Sequence, residues 1–142
     1  MHALRICIGS NDGRHIAETH MGDTNFFVIY DIYPGSESSF VEQRKNEAKD
    51  LDHAKTDKMQ TILDLLSDTQ ILVAQQRSPN FVKIAAKTQY QPVIVKCVEI
   101  LDVLVALSDE FETLQQLVER RRQGERFETI PELAGHSQQG AD

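Results

Sequence analysis

The chain has 142 residues, of which 40% are hydrophobic and 26% charged, with a formal net charge of −7. A chain of this length buries roughly 68–70% of its unfolded surface, so one compact domain needs neither disulfide nor metal to hold together. The acidic balance argues against nonspecific nucleic-acid binding, which runs on many Lys/Arg–phosphate contacts.

No apolar run nears the ~20 residues of a membrane span. The opening Met-His-Ala-Leu-Arg-Ile lacks the apolar core of a signal peptide, so no membrane partner and a cytoplasmic location are expected. Residues 4–8 form a short apolar run, a predicted strand that ends at the dense turn signal Gly9-Ser10-Asn11-Asp12-Gly13. A polar segment bearing His15 and His20 follows. The aromatic and β-branched residues 26–33 then read as a second strand. Pro34-Gly35-Ser36 turns the chain into a third strand over residues 39–44, which predicts antiparallel pairing.

Residues 46–57 are charged and almost free of large apolar side chains, so they read as a linker or flexible loop. Met59, Ile62, Leu63 and Leu66 stand at i, i+3, i+4 and i+7 and predict a helix, with Thr56 or Asp57 as its cap. A short buried strand is expected over residues 70–74. Ser78-Pro79 supplies a cap and a first-turn proline for a second helix, whose inner face is Phe81, Ile84 and Ala85. Gln91-Pro92 introduces a further strand over residues 93–98.

Ile100, Val103, Leu104, Leu107, Phe111, Leu114 and Val118 keep helical spacing throughout. They describe one long helix, or two joined near Ser108-Asp109. Arg120-Arg121-Arg122 falls in the last turn, where cations complement the helix dipole, and Gly124 ends it. The domain is thus expected over residues 1–124, with a polar tail over 125–142.

The order β-β-β-α-β-α-β-α predicts an α/β fold, a mixed five-stranded sheet flanked by helices in a ribonuclease H-like layout. Its early strands form a meander, and its later ones run parallel through helical crossovers. Cys7 and Cys97 lie in apolar runs and read as buried free thiols; two are too few for a four-thiolate metal site. Ligands of open α/β sheets sit beyond the carboxyl ends of the parallel strands. Ser10, Asn11 and Asp12 follow the first strand, and Arg77 and Ser78 follow a later one. If those strands are neighbours, the loops converge, and Arg77 with the helix-opening amides at Ser78 favours an anion.

The first strand carries no acid, whereas a metal-dependent nuclease needs several carboxylates around its ions. No Walker loop, nucleophile elbow or zinc-spaced cluster appears, and no enzyme is expected.

Three pieces together carry a resemblance: Arg5-Ile6-Cys7-Ile8-Gly9-Ser10-Asn11-Asp12-Gly13, then Ile16-Ala17-Glu18-Thr19-His20-Met21-Gly22, then Phe26-Phe27-Val28-Ile29-Tyr30-Asp31. This resembles the dinitrogenase iron–molybdenum cofactor biosynthesis family, over about residues 4–123. The resemblance implies a ribonuclease H-like fold and a non-enzymatic carrier in nitrogen fixation. It implies an iron–molybdenum–sulfur or iron–sulfur cluster as the bound group, with cofactor-assembly or cofactor-accepting proteins as partners. Monomer and homodimer both stay open. His20 matches the family's histidine and becomes the expected metal ligand. Ser10, Asn11, Asp12 and Gly13 match the first loop, and Gly22 matches the glycine after the histidine.

The chain departs from the family at Gln75-Gln76-Arg77-Ser78-Pro79-Asn80. Family members commonly carry a turn like Gly-Gly-x-Gly-Pro there, and here only the proline clearly survives. Glycines let a bulky ligand approach the backbone closely. The alternative reading is therefore a protein-interaction or regulatory domain of the same fold that has lost its cluster. His2, His53 and His136 are assigned no role.

Overall fold

The structure, a computed structural model, describes residues 3–35, 37–51 and 56–134. Its sheet has the order β3-β2-β1-β4-β5-β6. β1 (Leu4–Ser10) pairs antiparallel with β2 (Phe26–Tyr33), which pairs antiparallel with β3 (Glu37–Lys45). On its other side β1 runs parallel to β4 (Ile71–Ala74), and β4 runs parallel to β5 (Gln91–Val95). Strands buried on both faces read as continuous apolar runs rather than alternating ones. Every residue of β4 and β5 is buried, in keeping with that rule.

Helices cover both faces. α1 (Thr56–Leu65) and α2 (Pro79–Lys87) pack on one side, over Cys7, Phe27, Ile29, Leu72 and Ile94. α3 (Ile100–Asp109) and α4 (Phe111–Arg122) pack on the other, over Ile6, Ile8, Val28, Val73 and Val93. Alternate residues of β1 thus serve opposite cores, as a pleated strand requires. The long helical pattern resolves into two helices joined at Glu110, and Gly124 leaves the second with φ +99°. Among the described residues, no helix is long and apolar enough to cross a membrane.

Two expectations change. The sheet has six strands rather than five. β6 (Glu132–Leu133) lies in the segment expected to be a polar tail and pairs parallel with β5. Ile94 donates its backbone N–H to Pro131 O, and Lys96 donates to Leu133 O. Ile130 is buried in the α1/α2 core. Two apolar residues spaced three apart give no period to read, so the strand carried no local signal. The segment is anchored by Arg121, which is 1% exposed. Arg121 donates to Gln91 Oε1, Ala85 O, Thr88 O and Phe127 O, and its guanidinium stacks 4.1 Å over the Phe127 ring.

The charged stretch after β3 is also more structured than a flexible linker. Asn46 and Ala48 are buried, and α1 already begins at Thr56. The Asn46 amide forms hydrogen bonds on both its ends, which fixes a polar segment without any apolar pattern. Residues 52–55 of that stretch, and with them His53, lie outside the described residues, as do His2 and His136.

Candidate functional site

Since β4 and β5 are parallel to β1, the helices leading into them must run the opposite way. α1 and α2 therefore both begin at the carboxyl end of the parallel strands, where their exposed amides and positive dipole ends favour anions. The turn bearing His20 lies at this same end.

Its geometry follows from its neighbours. His20 precedes a single 3₁₀ turn, Met21–Asp23, and its carbonyl accepts the Asp23 backbone N–H at 2.9 Å. The turn sits directly against β1: a Cβ on Gly9 would stand 2.9 Å from Met21 Cγ and 3.0 Å from Thr24 Cγ2. Gly9 is the gap into which the turn fits. Thr24 Oγ1 lies 2.9 Å from Met21 O and 3.0 Å from Phe26 O. From the segment after β3, Asn46 Nδ2 donates to Gly22 O at 2.9 Å and to Thr24 O at 2.8 Å. From α1, Lys58 Nζ donates to Asp23 Oδ1 at 3.0 Å and to Lys49 O at 3.1 Å. Gly22 lies close to α1, since a Cβ there would stand 3.0 Å from Ile62 Cδ1. The turn is thus held from three sides, through backbone and side chains, while His20 is exposed.

An open groove of about 530 Å³ runs between this turn, α1 and α2. Its walls include His20, Met21, Gly22, Lys58, Met59 and Ser78, with Lys83 further along α2 and Ile62, Leu63, Phe81 and Ile84 as an apolar floor. Among the described residues, the lining holds an imidazole, two thioethers and two lysines, with no aspartate, glutamate or cysteine. Among the described residues, no group of three or more His, Cys, Asp or Glu side chains is placed to hold a metal ion. Both cysteines are fully buried, and burial pushes both thiols up from their ordinary range.

The structure brings three of the residues read from sequence, His20, Gly22 and Ser78, to the groove. Ser10, Asn11, Asp12, Gly13 and Arg77 are not among its lining residues. The first loop is largely occupied with itself. Ser10 is fully buried; its hydroxyl donates to His15 O at 2.6 Å and accepts from Gly13 N at 2.9 Å. Asp12 accepts the Arg14 and His15 backbone N–H groups at 2.8 and 2.9 Å, and His15 Nδ1 lies 2.6 Å from its carboxylate. The Arg14 N–H first, then His15, holds the Asp12 carboxyl well below the usual carboxylate range. Asn11 Oδ1 accepts from Asn25 N at 2.9 Å, and Gly13 takes the left-handed φ of +82° that closes the turn.

The later loop does meet the first region, because β1 and β4 are neighbours. Gln76 Nε2 donates to Glu18 O at 2.6 Å, and Gln75 Nε2 donates to Cys97 O. Arg77 is exposed. Ser78 caps α2 by accepting the Phe81 backbone N–H at 3.1 Å, as its Ser-Pro signature requires. Sequence reasoning missed Lys58, Met59 and Asn46. Lys58 and Asn46 border a charged run that reads as solvated, and Met59 fits a helical core face equally well.

No curated protein shows significant similarity to the chain. The family model described as dinitrogenase iron–molybdenum cofactor matches residues 2–110, which runs from β1 to the end of α3 and takes in the His20 turn and both groove helices. The chain therefore belongs to the dinitrogenase iron–molybdenum cofactor family.

Proposed function

We propose that the protein binds an iron–molybdenum–sulfur or iron–sulfur cluster as cargo in the groove between α1 and α2, with His20 as a metal ligand. On this reading it exchanges the cluster with cofactor-assembly and cofactor-accepting proteins in the cytoplasm and catalyses no reaction of its own. The observation that carries it is the groove lining: among the described residues, an imidazole at one wall, two lysines, two thioethers and no carboxylate. Clusters of this class are anionic, and the start of α2 at Ser78 adds oriented amides to the lysine charge. Imidazole and thioether are donors suited to iron and to soft metals. Family membership supplies the cofactor context. The strand order β3-β2-β1-β4-β5, antiparallel in its first half and parallel in its second, supports a ribonuclease H-like layout.

Anaerobic reconstitution with iron, molybdate and sulfide, followed by absorption spectroscopy and metal analysis, tests this. Stoichiometric metal in the wild type, lost in His20→Ala, is the expected result. Metal retained unchanged in His20→Ala removes the ligand assignment.

A second reading has its own observation. The side chains of Gln75 and Gln76 bond to Cys97 O and Glu18 O across the turn where the family's glycines would leave the backbone open. This favours a domain of the same fold that meets proteins and holds no cluster. Wild-type protein that retains no stoichiometric metal is its signature.

A further inference from the structure

The face of the sheet opposite the groove carries an anomaly. A helix on the surface of a domain turns apolar residues inward and polar ones outward, whereas one that is apolar all round is covered on every side. α3 is apolar on both faces. Ile100, Val103, Leu104 and Leu107 are buried in the core. Leu101 on the outer face is 68% exposed, Val105 one turn on is 42% exposed, and Val98 at the entry is 54% exposed. Positions 98, 101 and 105 keep the three-and-four spacing of one side of a two-helix seam. α3 packs over β2 and β3, and Tyr30 of β2 packs on the same core. Phe40 of β3, also exposed, meets the Tyr30 ring edge-on at 5.5 Å between centroids. Large apolar groups exposed singly are ordinary, but several gathered about one helix mark a contact surface.

The charge around this stripe has one sign. Residues 97–119, from the entry of α3 through most of α4, hold Glu99, Asp102, Asp109, Glu110, Glu112 and Glu119 and no Lys, Arg or His. Glu99 and Glu110 stand exposed at the two ends of α3, and Asp102 follows Leu101. Two copies meeting face to face across α3 would set acid against acid, which disfavours self-pairing. A partner with bases around an apolar stripe meets no such penalty.

We propose that the outer face of α3 docks an amphipathic helix of a partner protein, one whose apolar stripe is flanked by Lys or Arg side chains. Leu101 and Val105 form the apolar centre of the contact, and Glu99, Asp102 and Glu110 its acidic rim. The seam is too small for a permanent complex, so the partner is one met transiently. None of the described residues lining the groove belongs to α3, so docking leaves the groove open. The inference stands whatever the groove holds.

Two synthetic helices of about 18 residues test this, long enough to form and sharing one Leu stripe at helical spacing. The stripe is flanked by Lys in one and by Glu in the other. Binding to the full chain is read by fluorescence anisotropy, and the site by NMR of the methyl signals. The Lys-flanked helix is expected to bind and to shift Leu101 and Val105, leaving Ile62 of the groove floor unmoved. The Glu-flanked helix is expected to bind more weakly by roughly tenfold or more. Leu101→Gln combined with Val105→Gln should weaken the Lys-flanked helix by roughly tenfold or more. Asp102→Asn should weaken it by roughly two- to fivefold, the share of one exposed charge pair.

Equal binding of the two helices overturns the proposal. So does binding that the double Gln variant leaves unchanged, or that shifts Ile62 in place of Leu101 and Val105. A Lys-flanked helix that fails to bind at millimolar concentration overturns it too. Sedimentation equilibrium adds one more outcome: a wild-type dimer that the double Gln variant no longer forms gives this face to a second copy and overturns the proposal. Should the double variant fail to fold by circular dichroism, Leu101→Gln alone and Asp102→Asn decide the matter. Cluster reconstitution and helix docking are separate readouts, so either can fail with the other intact.

Discussion

A methyl group at Gly9 would press on Met21 Cγ at 2.9 Å and on both branches of Thr24 at 3.0 and 3.1 Å. The space is small because the His20 turn lies flat on β1, and Thr24 is already committed to two carbonyls. Forcing a carbon into a filled site typically costs about 1–3 kcal/mol. Gly9→Ala should lose about that much stability in urea unfolding and should displace the His20 turn. A variant as stable as wild type would mean that the turn lifts freely from the strand.

At this scale the sequence is unevenly legible. His20 stood out through the motif around it, and Ser78 through its cap-and-proline signature. Lys58 and Asn46 did not, because what distinguishes them is burial against residues more than 20 positions away. A lysine in a charged stretch looks the same whether water or a carboxylate surrounds it.

Among the elements, the turn between α1 and β4 shows how charges tie strands to a helix. Asp68 receives Arg44 of β3 at 2.8 Å and Arg5 of β1 at 3.1 Å, and Arg44 also donates to Leu65 O at the end of α1. Arg5 further pairs with Asp31 across β1 and β2. Arg44 chiefly, then Arg5, holds the Asp68 carboxyl down to about 2 against an ordinary 3.8, while partial burial opposes the shift. A carboxylate with a lowered folded pKa contributes stability that is fully present above its unfolded pKa. The contribution is lost as pH falls through the folded value.

Wild type should therefore exceed Asp68→Asn in stability at neutral pH, and the gap should close between about pH 4 and about pH 2. With the Asp68 side chain 42% exposed, solvent screens the pair, so a gap of about 1 kcal/mol or less is expected. Added salt should shrink it further. Urea titrations across that pH range measure both effects, and a gap independent of pH would assign the Asn effect to lost hydrogen bonding alone. Period and turn chemistry made most elements legible, since β2 is continuously aromatic and β-branched and α2 is announced by Ser78-Pro79. β6 was not, for a two-residue strand has no period.

Across the whole molecule, the six-stranded sheet ends differently at its two sides. β3 forms one edge, nine residues long, with a register shift opposite Ile29/Tyr30 and charged side chains along it, devices that discourage strand addition. At the other edge, residues 127–133 run along β5. Gln91 Nε2 donates to Thr129 O, Ile94 N to Pro131 O and Lys96 N to Leu133 O. This covering segment lies beyond residue 110, where the family match ends. Ending the chain after Gly124 should leave the β5 edge unpaired and Arg121 without Phe127. A lower melting temperature and concentration-dependent association in light scattering are expected. A truncated chain as stable and as dispersed as the full one would show the cover to be dispensable.

The sheet's mixed direction was legible because helices separate the later strands and tight turns join the early ones. The groove was not, since its walls come from three separated stretches whose meeting depends on crossover geometry.

Cys7 and Cys97 face the core, so this groove would offer the proposed metal–sulfur guest nitrogen donors, thioethers and positive charge, but no thiolate. Thiolate bonds make a site a destination, with long residence and slow exchange. Imidazole, thioether and ammonium contacts give a shallower well, and a short dwell time is the property that the proposed carrier role requires.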